Sequence, residues 1–172
     1  MAGIKDVVNS IVAQLQTVAE LQTVRVFNND FKMMEAGKTE LFAFPCAFVQ
    51  ILSVSNFIPV GAGCESADLT VRILIGHEYY NGYGFNQDLD VFDLKDKVVR
   101  AMYNFQATAC SPFQRVNEEQ SFDHDNIYIY TVDFSTSFID SKASDYDPAN
   151  GVYQDFTATD VQIIYNNQIN IQ

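Results

Sequence analysis

Between Ala67 and Ile75 the chain alternates with a period of two: Leu69, Val71, Ile73 and Ile75 are apolar, while Asp68, Thr70 and Arg72 interleave. That period requires a strand with one buried and one wetter face. Asn81-Gly82-Tyr83-Gly84 then ends it, because glycine supplies the positive φ that a tight reversal needs. Asn86 or Asp88 suits the cap of a following helix, and Asp88 and Asp90 suit the positive end of its dipole. Val91, Leu94, Val98, Met102 and Phe105 recur at helical spacing, widened by Phe92, Val99 and Tyr103, with Lys95, Lys97 and Arg100 placed outward. So broad an apolar face must lie on a sheet, and the preceding strand is the nearest one.

The rest of the chain fits around this unit. Ile4, Val7, Val8, Ile11, Val12, Leu15, Val18 and Leu21 trace one stripe and predict a first helix over residues 4–21. Thr23 to Phe27 reads as a short strand closed by Asn28-Asn29-Asp30, and residues 32–40 as an exposed loop. Phe42 to Val54 is almost continuously apolar, which predicts a strand covered on both faces, with Pro45 near its start. Ser55 to Ser66, carrying Pro59, Gly61 and Gly63, reads as a loop. After a break at Thr108–Pro112, Phe113–Phe122 and Ile127–Ile139 form a hairpin around Asp123-His124-Asp125-Asn126. In its second strand Tyr128, Tyr130, Val132, Phe134 and Phe138 share one face, and Thr131, Asp133, Ser135 and Ser137 the other. The expected fold class is α+β: a mostly antiparallel twisted sheet of about five strands covered by two helices, over residues 1–140. Residues 141–172 are acidic and polar, with β-prone pieces at Val161–Tyr165 and Ile169–Ile171, and read as an extended C-terminal arm able to add a strand to a neighbour.

Charge narrows the function classes. The net charge is −12, and residues 116–172 hold ten acids against the single base Lys142. An acidic surface repels phosphate, so tight nucleic-acid binding is not expected, although a duplex would pass through an acidic tube without adhering. No apolar run approaches the ~20 residues of a membrane span. The first residues, Met1-Ala2-Gly3-Ile4-Lys5, lack the pattern of a secretion signal, so a cytoplasmic product is expected. Cys46, Cys64 and Cys110 are widely spaced and predict buried free thiols rather than a zinc site or disulfides.

No reaction centre emerges from spacing. His77 falls on the inward face of the third strand, and His124 in a solvated turn. Asp145-Tyr146-Asp147-Pro148-Ala149-Asn150-Gly151 fails the register of a calcium loop, and Gly82-Tyr83-Gly84 matches no phosphate loop. Tyr128, Tyr130 and Phe134 lack the basic neighbours that base stacking needs. The expectation is no catalytic residue, no metal and no cofactor.

The order of elements resembles the tail-terminator (tail-completion) proteins of tailed bacteriophages and related neck-ring proteins. The resemblance rests on the helix Ile4–Leu21, the strand Phe44-Pro45-Cys46-Ala47-Phe48-Val49, the alternating strand from Ala67 to Ile75, the helix Leu89–Phe105 and the hairpin strand Tyr128-Ile129-Tyr130-Thr131-Val132-Asp133-Phe134. It covers about residues 3–140; the arm departs from it. It implies a non-enzymatic virion protein made in the bacterial cytoplasm and placed at the head–tail junction. The implied partners are further copies of itself in a ring, a hexamer first and a dodecamer second, with neck, portal-side or tail proteins adjoining. Viral DNA would pass through the lumen without specific binding, and no membrane is involved. Lys38, Phe57, Tyr146, Tyr153, Phe156, Ile163, Ile164, Ile169 and Ile171 are the candidate interface residues, from segments 32–40, 55–66 and 141–172. Two other readings compete: a small ligand-binding protein or enzyme with a pocket near His77, Tyr79 and Tyr80, and a cytoplasmic adaptor that binds by strand addition.

Overall fold

The computed structural model describes residues 2–35, 42–61, 64–78, 90–121, 127–141, 146–147 and 152–153. Helix α1 (Ile4–Leu15) starts where the Asp6 carboxylate accepts the Gly3 N–H at 2.9 Å, and it buries Val7, Ile11 and Leu15. Strand β1 (Thr23–Val26) and a short helix α2 (Asp30–Glu35) follow, then the long strands β2 (Cys46–Gly61) and β3 (Cys64–Glu78). Helix α3 (Asp90–Met102) opens with Asp90 and Asp93 at its positive end and buries Val91, Leu94, Val98 and Met102. Strands β4 (Gln114–Ser121) and β5 (Ile127–Asp140) form a hairpin, and two-residue strands β6 (Tyr146–Asp147) and β7 (Val152–Tyr153) pair with each other.

The main sheet has the order β1-β2-β3-β5-β4. It is α+β as expected, but mixed: β1 runs parallel to β2, while the three other pairings are antiparallel. β3 is hydrogen-bonded on both sides, from Glu65 to Glu78 against β5 alone. Its odd residues Ala67, Leu69, Val71, Ile73 and Ile75 form the main core with α1, α3, Val132, Phe134 and Phe138. Its even residues face the other way. There, over half the sheet, Phe31, Phe42, Cys46, Phe48, Leu74, Ile127 and Ile129 make a second apolar cluster beneath α2. Phe48 meets Phe31 and Phe42 edge-on, with ring centres at 5.1 and 4.9 Å.

Several expectations change. Residues 30–35 are helical where a turn and loop were expected, because Phe31 inserts into the second cluster and Arg25 bonds Asp30. The predicted loop 55–66 is instead strand on both sides of the reversal: β2 reaches Gly61 and β3 begins at Cys64. Lys95 points inward, its ammonium 5.8 Å from the Tyr130 ring centre. Of the three thiols, Cys46 and Cys110 are buried and Cys64 is only partly so.

At Gly76 the backbone of β3 passes close against the aromatic cluster. A Cβ there would lie 2.7 Å from Cys46 Sγ and 2.9 Å from the Phe31 ring. Gly76→Ala is expected to lower stability by about 1–3 kcal/mol through overpacking, read from urea denaturation midpoints at unchanged m.

Candidate functional site

The sheet has one covered face and one that is only half covered. Beyond the aromatic cluster, the helix-free face is polar, built from cross-strand neighbours that the register aligns. Gln50, Arg72, Asp133 and Asn117 form one row, and Ser53, Thr70, Ser135 and Gln114 the next. Ser55, Asp68 and Ser137 follow toward the far end. Arg72 donates to both oxygens of Asp133, at 2.7 and 2.9 Å, and this fork anchors the face. Asp133 is 5% exposed. Hydrogen bonding from Arg72 holds its carboxyl below the ordinary value while burial acts in the opposite sense, and Asn117 adds to the lowering.

At that far end β2 outruns its neighbour. β1 accompanies it only from Cys46 to Val49, and Phe27 N–H closes on Val49 O at 2.9 Å. From Gln50 to Gly61 its outer edge has no strand beside it among the described residues. Asn56, at φ +56°, sits in a register shift of this ladder, and its amide donates to Asp68 at 2.7 Å. Phe57, Ile58 and Val60 are 53%, 61% and 54% exposed, and Ile139, in the same cross-strand row as Ile58, is 47% exposed. On the opposite side of the sheet β4 is also an edge, solvent-exposed over most of its length.

Among the proposed interface residues, Phe57 stands on this exposed tip. Tyr146 and Tyr153 are cross-strand partners in the β6–β7 ladder. Lys38, Phe156, Ile163, Ile164, Ile169 and Ile171 lie outside the described residues. The structure therefore brings together one pair of the set and places one more. Sequence reasoning missed Leu52, Ile58, Val60 and Ile139 and the free edge that carries three of them. A signal was present: no charged side chain occurs from Cys46 to Cys64.

A groove of about 410 Å³ lies beside α2 on the face opposite α1 and α3, floored by Phe31, Leu74 and Ile129 and rimmed by Lys32, Arg72 and Glu119. A smaller depression at the other end holds His77 with Glu20, Asp90, Asp93 and Lys97. Among the described residues no three His, Cys, Asp or Glu side chains gather as metal ligands. Burial pushes the Cys46 thiol up to about 12 and the Cys110 thiol up to about 11, so neither is a thiolate at neutral pH. No helix among the described residues is long and apolar enough to cross a membrane. No protein-family model matches the chain, and no curated protein matches it.

Two measurements check this surface. A folded-state depression of Asp133 contributes stability that is complete above the unfolded value of about 3.9 and is lost as pH falls through the lower folded value. Arg72→Met, which strands a buried carboxylate, is expected to cost about 3 kcal/mol at pH 7, most of it recovered in Arg72→Met/Asp133→Leu. Denaturation curves between pH 2 and 7 read both effects. A thiol reagent at pH 8 is expected to label Cys64 first, with Cys46 and Cys110 labelled only on unfolding, as read by peptide mass mapping.

Proposed function

We propose that this chain is a structural virion protein that forms a ring around the DNA channel at the head–tail junction of a tailed phage, as a tail terminator or neck protein. The observation that carries the reading is a five-stranded sheet open at both sides among the described residues, with an uncharged, apolar-tipped edge on β2 and a charged edge on β4. Unlike edges on one body favour head-to-tail contact, and such contacts close into a ring when the rotation per copy allows it. Burying what remains exposed of Phe57, Ile58 and Val60 would supply about 1 kcal/mol each.

The helices α1 and α3 cover one face, which makes the other the natural lining of a lumen. Near the open end that lining is hydroxyl-rich, from Ser53, Ser55, Thr70, Ser135 and Ser137. Among the described residues the charges on this face are Asp30, Asp68, Glu119 and Asp133 against Arg25, Lys32 and Arg72, and Arg25 and Arg72 are already bonded to Asp30 and Asp133. With two of its three cations engaged, such a wall gives a duplex little to bind and lets it slide. The fold, the order of elements and the acidic balance fit this role together.

A second reading draws on the same free edge: an adaptor that takes a partner's strand on β2. Mass separates the two. Native mass spectrometry and negative-stain imaging are expected to give a hexameric ring, or a dodecamer. Ile58→Asp with Phe57→Asp is expected to reduce assembly at least tenfold while leaving the circular dichroism spectrum and the melting temperature unchanged. A monomer at every concentration tested, alone and with virion proteins, would sink the ring.

A further inference from the structure

The free edge of β2 has a counterpart in the same sequence. The edge from Gln50 to Gly61 is 12 residues long and carries no charge. Long, uncharged edges are a hazard for any sheet, and proteins keep them covered or interrupt them with charge. β4 does the latter, with Arg115, Glu118 and Glu119; this stretch of β2 does not.

One stretch of the chain matches the edge in chemistry. Val161–Gln172 is uncharged. Its odd positions Val161, Ile163, Tyr165, Ile169 and Ile171 are apolar, and its even positions Gln162, Asn166, Gln168, Asn170 and Gln172 are polar, with Ile164 and Asn167 as the exceptions. That is the pattern of a strand with one face to bury. Placed on an edge, it would lay its apolar face beside exposed Leu52, Ile58 and Val60.

The ring reading, taken with the topology, selects the edge of the next copy. The chain leaves the main sheet at Ser141, at the end of β5, where Ser141 N–H bonds Ala2 O at 3.0 Å. β3 and β2 stand between that point and the chain's own free edge, whereas only the edge strand β4 lies on the other side. In a head-to-tail ring the β4 side of one copy faces the β2 side of the next. Ser141 and the tip of β2 belong to the same end of the sheet, since Asp140 pairs with Glu65 and Cys64 with Gly61. The 19 residues from Lys142 to Asp160 reach about 60 Å at full extension, ample for the crossing.

We infer that Val161–Gln172 of one copy adds as a strand to the outer edge of β2, along Gln50–Gly61, of the next copy. This rests on the ring reading and names the contact that locks the ring.

Hydrogen–deuterium exchange and native mass spectrometry on the full chain, and on a chain ending at Asp160, test it. In the full-chain ring the outward amides between Ile51 and Val60 are expected to exchange at least tenfold more slowly than in the shortened chain. A synthetic peptide of Val161–Gln172 added to the shortened chain is expected to restore slow exchange. Ile163→Asp/Ile169→Asp in the full chain is expected to reproduce the loss, which guards against a shortened chain that folds poorly. A ring whose exchange is the same in all three proteins overturns the inference and leaves the ring reading standing. Slow exchange in a species of monomer mass also overturns it, because the segment then serves its own chain. Monomer mass with fast exchange, alone and with virion proteins, overturns both.

Discussion

The structure depends on one ladder: β3, hydrogen-bonded along its length to β2 on one side and β5 on the other. Because a strand's side chains alternate, this pairing sorts every neighbour into one of two faces at once. Leu69, Val71, Ile73 and Ile75 go under the helices; Asp68, Thr70, Arg72 and Leu74 go to the other side. A slip of one residue would bury Arg72 and Asp68 in the helix-covered core. The desolvation cost of those charges is what fixes the register. The Arg72–Asp133 fork then secures it from the polar side, since both members must stay in the same row to bond.

The two ends of this ladder are built differently. At the closed end aromatic rings meet edge-on over one face of β2, beneath α2, with the Arg25 guanidinium over Phe42 and Phe48 at 5.7 and 5.5 Å. At the open end β2, β3 and β5 run on together as far as Pro59, Glu65 and Asp140, and the apolar side chains at the β2 tip stay in solvent. A strand end without a covering layer gains little from packing. The chain therefore invests its packing at one end and leaves contact area at the other. A body divided in this way is suited to assembly.

Much of the closed end was legible in the sequence. Val7, Ile11 and Leu15, Leu94, Val98 and Met102, and the alternation from Leu69 to Ile75 each carry a period that only one element satisfies. The open end was not. Pro59, Gly61 and Gly63 are ordinary loop signals, yet Pro59 is tolerated in β2 because it falls near the tip of the ladder, paired with Glu65. Asn56 resembles a turn residue for the same reason, whereas its positive φ serves a bulge within a strand. α2 was hidden because six residues are too few for periodicity to register, and Phe31 is helical through its tertiary contacts. The parallel pairing of β1 with β2 depends on where the chain returns after α2, which no local pattern encodes.

The candidate surface was only partly legible for a related reason. Phe57 was named as an interface residue of segment 55–66, read as a loop, but its meaning comes from the strand it belongs to and from the edge that strand exposes. An exposed apolar side chain on a loop is ordinary; the same side chain on an open, uncharged edge is a site of association. The missing charge from Cys46 to Cys64 shows why both descriptions began from the same residues. In the buried first half of β2 it follows from packing between two apolar layers, where a charge would be unaffordable. In the exposed second half packing does not require it, so a polar, charged edge would have been cheaper to keep in water. That the edge stays uncharged and apolar-tipped there is the physical argument for the covering strand proposed above.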